Sequence, residues 1–399
     1  MKKLNDKLRY LVAVSGGPDS MALLDMTRKQ NIYLEVAHMN YHHRDSADRD
    51  EKIVRNYCKK YNIKFHLANY NPDKYKGNFQ NSARVARYDF FKKLCQKNKL
   101  DLVLIAHNLD DFIETYYMQK EKGMGFSYYG IKENNTINDV LVYRPLINQE
   151  KSKLLEYCKK NNITFGIDES NLSDVYTRNR IRHGKVEKMS KEEKIALYYE
   201  LIKLNKENDS KLKRISKKVH NKSFEVNEFL KLEDLDLFLH NQFPKHSNKT
   251  IKEILNQLAN SKRCVFEGKD VIIFKEYNQI NIADYFNEYN VKFNNLNEMI
   301  GYKNKYFKIN KRGNSFQGVT LSNRDFPVTI RNYKNGDKIL MLYGSKGINR
   351  FFIDKKISYI NRKTWPVLVN KNKEIVLVSG LGCDKNHYSK NHNVFVIKL

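Results

Sequence analysis

Apolar and polar stretches follow one another in a regular order over the first 110 residues. Four short apolar runs have the composition expected of buried strands: Tyr10–Val14, Tyr33–Met39, Ile63–Ala68 and Leu102–Ala106. Longer stretches of helical character lie between them: Met21–Gln30, Ser46–Tyr61 and Asn81–Asn98. This alternation predicts an α/β fold in which a doubly wound parallel sheet carries helices on both faces.

The pattern changes after Ser190. Up to Gln257 it is mostly helical and rich in lysine, and two short strands are expected after it, at Val265–Phe274 and Asn278–Ile282. A β-rich terminal segment follows, with five expected strands: Val328–Tyr333, Lys338–Leu342, Val367–Val369, Ile375–Ser379 and Val394–Ile397. The polar stretch 370–373 is expected to turn the chain between two of them.

Three parts of the chain are therefore predicted. Residues 1–185 form the α/β domain, residues 186–290 form a mostly helical middle domain with short strands, and residues 291–399 form a linker and a small β-rich domain. A length of 399 residues is ample for two or three hydrophobic cores.

The formal net charge of +28 indicates a class of binding partner. A strongly basic balance favours a polyanion, with nucleic acid ahead of an anionic membrane, although a coding bias towards Lys and Asn would also raise it. Residues 331–399 carry 14 Lys and Arg against 4 Asp and Glu, a density that coding bias alone does not explain. We expect this terminal domain to bind nucleic acid.

Five cysteines are spaced too widely to form a C-x-x-C pair, and their number is odd. Neither a disulfide framework nor a zinc knuckle is expected from this spacing. The first residues are charged and no apolar run approaches the length of a membrane span, so we expect a cytoplasmic protein with no membrane partner.

A glycine-rich turn, Ser15-Gly16-Gly17-Pro18-Asp19-Ser20, connects the first predicted strand to the first predicted helix. Glycines let the backbone approach an anion closely, and a helix N-terminus offers unpaired N–H groups to phosphate. The turn has no Walker A ending and carries Asp19 instead, a carboxylate able to hold Mg²⁺ on a pyrophosphate. The alternative is a tight turn that requires glycine and binds nothing.

A second candidate segment follows the fourth strand. His107, Asp111 and Glu114 have the spacing i, i+4 and i+7 and are expected on one helix face, directed at the same sheet edge as the glycine-rich turn. They could hold Mg²⁺, bind an ammonium group or accept its proton. The alternative is a helix cap, supplied by Asp110, with solvated acids beside it.

Further basic and imidazole groups are candidates for phosphate or RNA contacts. His38 is expected in a nucleotide-binding loop after the second strand, or otherwise in a surface loop. Guanidinium groups suit phosphate, which makes candidates of Arg84 and Arg87 on one helix and of Arg178 and Arg182, one turn apart, on another. Each pair could equally be a solvated basic helix face.

The turn S-G-G-P-D-S resembles the signature of the PP-loop ATP pyrophosphatases. The full set of motifs resembles one branch of them, the tRNA(Ile)-lysidine synthetases, in order and spacing. The matching motifs are S-G-G-P-D-S at 15–20, H-M-N at 38–40, R-D-S-A at 44–47, A-R-V-A-R-Y-D-F-F at 83–91, A-H-N-L-D-D-F-I-E-T at 106–115, R-P-L at 144–146, D-E-S-N at 168–171 and R-N-R-I-R at 178–182. Segments 331–339 and 352–367 are similar to the terminal domain of that family.

The resemblance implies a ligase with ATP and Mg²⁺ that adds free L-lysine to C2 of the wobble cytidine, position 34, of a CAU-anticodon tRNA(Ile). An adenylated cytidine is the intermediate, and AMP and pyrophosphate are released. Residues 15–20, His38 and Arg84 would bind ATP, with Asp19 also on the metal. Asp19, His107, Asp111 and Glu114 would be catalytic, and the expected tRNA contacts are Arg87, Asp168, Arg178 and Arg182. The oligomeric state stays open.

Three other functions compete with this one. A tRNA thiolase would need two cysteines close together, and no C-x-x-C pair exists. An RNA-binding protein with a vestigial nucleotide fold would have no need for Asp19, His107, Asp111 and Glu114. An amidotransferase-like synthetase would want a glutaminase domain, which the sequence does not contain.

Overall fold

The computed structural model describes residues 1–42, 46–75, 78–123, 127–167 and 177–399 of the chain. Two compact units make up these residues. The first contains residues 1–213 and 244–248, and the second contains residues 214–243 and 249–399. The predicted boundaries at 185 and 290 differ from this division and stay predictions.

The first unit is built on a six-stranded sheet. Its strands are β1 (Tyr10–Ala13), β2 (Leu34–Asn40), β3 (Lys64–Asn69), β4 (Leu102–Ile105), β5 (Asn134–Ile137) and β6 (Val140–Tyr143). Its helices are α1 (Pro18–Arg28), α2 (Ala47–Lys60), α3 (Phe79–Asn98), α4 (Leu109–Glu121), α5 (Lys151–Lys160), α6 (Thr177–Gly184) and α7 (Lys191–Val219), of which α7 continues into the second unit. The first four strands and three helices confirm the predicted order.

Neighbouring residues of β1 pack on opposite faces of this sheet. Val12 belongs to the core formed with α1, α2 and α5, whereas Leu11 belongs to the core formed with α3. Both residues are completely buried, because side chains alternate between the faces of a strand and both faces are covered by helices. The prediction of a doubly wound sheet is confirmed.

The strand order is β3-β2-β1-β4-β6-β5. All pairs are parallel except β5 with β6, an antiparallel edge hairpin that the sequence pattern did not predict. The order reverses between β1 and β4, so the chain leaves these two strands in opposite directions and opens a crevice at their carboxyl ends. The glycine-rich turn follows β1, and His107 follows β4, at this crevice.

Helix α7 is the longest helix of the chain, with 29 residues, and it is rich in lysine and glutamate. Within the ranges that the structure describes, no helix combines the length and the apolar composition needed to cross a bilayer.

The second unit begins with short helices and a four-stranded sheet. The helices are α8 (Val226–Leu230), α9 (Leu235–Gln242) and α10 (Asn248–Asn260), and the strands are β7 (Ser223–Glu225), β8 (Arg263–Glu267), β9 (Val271–Glu276) and β10 (Gln279–Asp284). The expected single strand at Val265–Phe274 is wrong, because the polar residues 268–270 turn the chain between β8 and β9. The mostly helical character up to Gln257 is confirmed.

The remainder of the second unit is rich in strands. Its elements are β11 (Asn290–Phe293), α11 (Leu296–Met299), β12 (Phe307–Asn310), β13 (Gly318–Val319), β14 (Val328–Asn332), β15 (Lys338–Met341), β16 (Gly344–Gly347), α12 (Ile348–Asp354), α13 (Tyr359–Lys363), β17 (Pro366–Val369), β18 (Ile375–Val378), β19 (Gly382–Cys383) and β20 (Val394–Lys398). All five predicted strands are present, and residues 370–373 turn the chain between the antiparallel strands β17 and β18 as expected. Strands β11, β12, β13, β16 and β19 were not predicted.

Candidate active site

Two serines brace the glycine-rich turn from within. The backbone N–H of Ser15 donates to Oγ of Ser20 over 3.2 Å, and the Ser20 hydroxyl donates to the carbonyl oxygen of Gly17 over 2.9 Å. Gly17 is the N-cap residue of α1, and Pro18 is its first helical residue, where the missing N–H of proline costs nothing. The turn therefore presents the N-terminus of α1 in a fixed geometry.

The fold constrains the two glycines of the turn differently. Gly16 has a φ of +95°, and a Cβ atom there would lie 2.8 Å from Cβ of the buried Asp50. Gly17 has an ordinary φ of −74°, and a Cβ there would meet only Oγ of Ser15, at 3.7 Å. The fold alone explains Gly16, whereas it leaves Gly17 without a structural requirement.

A third glycine completes this packing and was missed in the sequence. The backbone N–H of Gly166 donates to the carbonyl oxygen of Gly16 over 2.9 Å. A Cβ at Gly166 would lie 1.9 Å from Oδ1 of Asp50, so a larger residue would require the buried Asp50 carboxylate to move. No local sequence signal marks this contact, because the three residues come from distant parts of the chain.

A cavity of about 220 Å³ lies at the carboxyl ends of β1, β2 and β4. Its lining residues are Ala13, Val14, Ser15, Asp19, Ser20, Ala37, Met39, Tyr41, Arg87, Phe91, Ile105, Ala106 and His107. The glycine-rich turn and His107 thus share one sheet edge, as the sequence indicated.

Asp19 lies between this cavity and the neighbouring α4. Its Oδ2 accepts a hydrogen bond from the side-chain amide of Asn108 at 3.0 Å, while Oδ1 is buried and has no hydrogen-bond partner among the described residues. Burial, followed by the charge of Asp111, raises the pKa of Asp19 to about 6. A bound cation would relieve this cost.

Asn108, and not Asp110, caps α4. Its side chain accepts from the backbone N–H of Asp111 at 3.1 Å, and the Asp111 carboxylate accepts from the backbone N–H of Asn108 at 2.9 Å. This reciprocal capping box starts the helix at Leu109. His107 therefore precedes the helix and does not share its face, contrary to the expectation from the i, i+4, i+7 spacing.

Asp111 and Glu114, two of the four carboxylates of α4, face α6. Both oxygens of Glu114, which is completely buried, accept hydrogen bonds, one from Nε of Arg178 at 2.6 Å and one from Nε of Arg182 at 2.5 Å. Arg178 also donates from Nη2 to Asp111 at 2.5 Å. The two arginines were expected to face phosphate or solvent, but in this structure they neutralise the α4 carboxylates. Neither carboxylate lines the cavity.

His107 has a cationic partner that the sequence did not point to. Nε of Arg144, which is 2% exposed, lies 2.8 Å from Nδ1 of His107. Burial lowers the pKa of His107 well below its usual value, and the charges of Arg144 and Arg178 act in the same direction. His107 is therefore a neutral imidazole at the cavity wall.

The remaining predicted residues are distributed unevenly around the cavity. His38 lies within β2 and not in the loop after it, and Nδ1 of its buried ring is 2.8 Å from the carbonyl oxygen of Val14. Arg87 lines the cavity, whereas Arg84 is exposed outside it. Asp168 lies outside the described residues.

The five cysteines are all free thiols, and burial raises the pKa of each, to about 12 at Cys58 and to about 11 at Cys158. A reactive cysteine needs a depressed pKa. Among the described residues, moreover, there is no group of three or more His, Cys, Asp or Glu side chains arranged to hold a metal ion. These findings give no support to thiolase chemistry.

Comparison with known proteins agrees with this geometry. Residues 1–189 match the family model described as a PP-loop domain, and residues 328–397 match the TilS substrate C-terminal domain. A tRNA(Ile)-lysidine synthase of Mycoplasma mycoides subsp. mycoides is 34% identical over 94% of this chain and 97% of its own length. The corresponding protein of Mesoplasma florum is 32% identical over 94% of this chain and 98% of its own length. That of Ureaplasma parvum is 48% identical over 44% of this chain and 53% of its own length. Because similarity extends over nearly the full length of two such relatives, the chain belongs to the tRNA(Ile)-lysidine synthase family.

Proposed function

We propose that this enzyme joins L-lysine to C2 of the wobble cytidine, position 34, of a CAU-anticodon tRNA(Ile) at the expense of ATP. The observation that carries the proposal is the shared cavity of the glycine-rich turn and His107, in a chain that belongs to this family. The cytidine O2 attacks the α-phosphorus of ATP, the bond to the β-phosphate oxygen breaks, and pyrophosphate leaves. The lysine ε-amine then bonds to C2, and AMP leaves with O2.

The phosphates of ATP are assigned to the end of α1. Residues 15–20 present a helix N-terminus to the cavity, where backbone N–H groups and the helix dipole favour an anion. Arg87 lines the same cavity and adds a guanidinium, so we assign it to phosphate as well as to the RNA contact expected from sequence. Arg84 and His38 do not line the cavity, and their contact with the nucleotide stays a proposal.

Mg²⁺ is assigned to Asp19. The unpartnered, buried Oδ1 of this carboxylate fits a hard cation, which would take its other ligands from phosphate oxygens and water. When bound there, the ion would offset the charge that develops on the leaving pyrophosphate.

The incoming lysine must lose a proton, because its ammonium has an ordinary pKa of about 10.4. Asp111 and Glu114 are the carboxylates proposed to attract this ammonium. Both already bind Arg178 or Arg182, so the substrate would have to share or displace a guanidinium. The basic second unit is proposed to hold the tRNA through its phosphates, with Asp168, Arg178 and Arg182 as further candidate contacts.

One assay tests this function. The enzyme is incubated with ATP labelled at the α-phosphate, with labelled L-lysine, and with a CAU-anticodon tRNA(Ile) transcript. We expect lysine to enter the tRNA in amounts equal to the AMP released, and a transcript with uridine at position 34 to accept none. Release of AMP without lysine incorporation, or incorporation of sulfur in its place, would contradict the proposal.

A further inference from the structure

Arg144 is a buried cation without a counter-charge. Its Nη1 donates to the carbonyl oxygen of Lys132 at 2.8 Å and to Oδ1 of Asn135 at 2.7 Å, and its Nε faces His107. Within the described ranges no carboxylate lies in ion-pair distance of it. A buried charge is normally paired with an opposite charge, whereas the desolvation of this guanidinium is offset by hydrogen bonds to neutral groups.

The contact with Arg144 decides where the imidazole proton of His107 resides. A guanidinium has five N–H donors and no acceptor, so Nδ1 of His107 must accept the 2.8 Å hydrogen bond. A neutral imidazole that accepts at Nδ1 carries its proton on Nε2. The Nε2–H group has no partner among the described residues, and the ring lines the cavity.

Protonation of this ring is opposed from several sides. After burial, the charges with the largest effect on its pKa are those of Arg144, which follows β6, Arg178 on α6, and Arg84 and Arg87 on α3, all of them cations, while the carboxylate of Asp19 on α1 lines the same cavity. A proton on Nδ1 would break the bond to Arg144 and would add a positive charge to this group. His107 is therefore built to donate a hydrogen bond and not to accept a proton.

We propose that Arg144 is a positioning residue that holds His107 in its Nε2–H form, so that His107 donates to an anionic phosphate oxygen of the nucleotide in the cavity. The inference rests on the proposed function for the identity of that ligand. It replaces the role of proton acceptor that the sequence left open for His107. The proton of the lysine ammonium must then leave through another group or through water.

The first test needs no activity. Nitrogen NMR of ¹⁵N-histidine-labelled protein, with His107→Gln to assign the signal, should show the Nε2–H tautomer from pH 5 to pH 8. In Arg144→Met the ring should begin to titrate nearer its ordinary pKa of about 6.5. A wild-type signal from the Nδ1–H tautomer, or from a doubly protonated ring at neutral pH, would overturn the proposal even if the enzyme ligates lysine.

The second test compares two amides at the same position. In His107→Gln the side-chain NH₂ reaches the place of Nε2, whereas in His107→Asn the shorter amide reaches only the place of Nδ1. If His107 is a donor, pyrophosphate release by the Gln variant should fall less than tenfold, while the Asn variant should lose about 10²–10³, the usual effect of removing one preorganised donor. Equal losses in both variants would contradict the proposal, and this comparison decides it even if Arg144→Met does not fold.

Discussion

The side-chain amide of Asn108 donates to Oδ2 of Asp19 over 3.0 Å and so connects the glycine-rich turn to the start of α4. Asn108 uses its other side-chain atom for the cap of that helix. A shift of α4 would therefore move the hydrogen bond that orients Asp19, which couples the acidic helix to the proposed metal site.

Asp19 should lower the stability of the ligand-free enzyme. Its pKa is raised from 3.8 to about 6, so the folded state holds the proton more tightly, and the resulting stabilisation is lost as pH rises from about 4 through 6. At pH 7.5 Asp19→Asn should therefore raise the free energy of unfolding, by at most about 3 kcal/mol, and below pH 4 it should not. Urea unfolding at both pH values measures this.

The same Asp19→Asn variant should lose adenylation while binding tRNA nearly as well as the wild type. Asp139→Asn is a matched control, since Asp139 lies 82% exposed in the β5–β6 turn. Loss of tRNA binding in parallel with adenylation would show that Asp19 is needed for the structure and not for the chemistry.

The glycines of the turn should respond differently to alanine. Gly16→Ala should lower the free energy of unfolding by about 2 kcal/mol or more, because the alanine would be held at a positive φ and would collide with Asp50. Gly17→Ala should leave the free energy of unfolding within about 1 kcal/mol of wild type but weaken ATP binding at least tenfold, since its methyl group stands at the anion-binding end of α1. Wild-type ATP affinity in Gly17→Ala would limit that glycine to a role in the turn.

Glu114 should be among the most sensitive positions of the first unit. Glu114→Gln would leave Arg182, whose side chain is 16% exposed, without the carboxylate that it binds and would leave Arg178 with Asp111 alone, and loss of one member of a buried ion pair costs about 3–5 kcal/mol. Glu121→Gln is the control on the same pair of helices, because Glu121 binds Arg180 and Lys185 near solvent, and its loss should lower the free energy of unfolding much less. Similar losses of unfolding free energy in the two variants would refute the assigned difference in burial.

The exposed lysines of the second unit should control the salt dependence of tRNA binding. Truncation at residue 331 is unsuitable as a test because it would cut through β14, which pairs with both β11 and β17. Alanine at Lys355 and Lys356, both exposed, should flatten the slope of log affinity against log salt by about 1 for each lysine that neutralises a phosphate in the wild type.

ATP binding should not change in these lysine variants, and alanine at Lys159 and Lys160, which are exposed at the end of α5, serves as the control for tRNA binding. If alanine at Lys355 and Lys356 changes neither the tRNA affinity nor its salt dependence, these lysines do not bind phosphate.

Much of the first unit could be predicted from the sequence because β1, β2 and β4 are buried runs separated by helices, a pattern with few alternatives. The hairpin β5–β6 was missed since β5 is short and polar. The cap was assigned to Asp110 because Asn and Asp both cap helices, and only the backbone geometry selects Asn108.

It was harder to predict which residues of the site contact one another than which residues belong to it. The turn and His107 follow strand ends, and the topology of an α/β sheet brings them together. That Arg178 pairs with Glu114, and that Arg144 faces His107, depends on how α6 and the β5–β6 hairpin pack, and sequence spacing carries no information on contacts over such separations. Each of these residues lay in a motif that the sequence showed, but its partner did not follow from that motif.

The packing of Gly16, Asp50 and Gly166 limits how this enzyme can be recombined with its relatives. A chimaera that takes the glycine-rich turn from one parent and the region around residue 166 from another would join surfaces shaped for different neighbours, unless both parents have glycine at the two positions and a side chain no larger than aspartate between them. Productive crossover points should therefore lie before residue 16 or after residue 166, where all three members are inherited together.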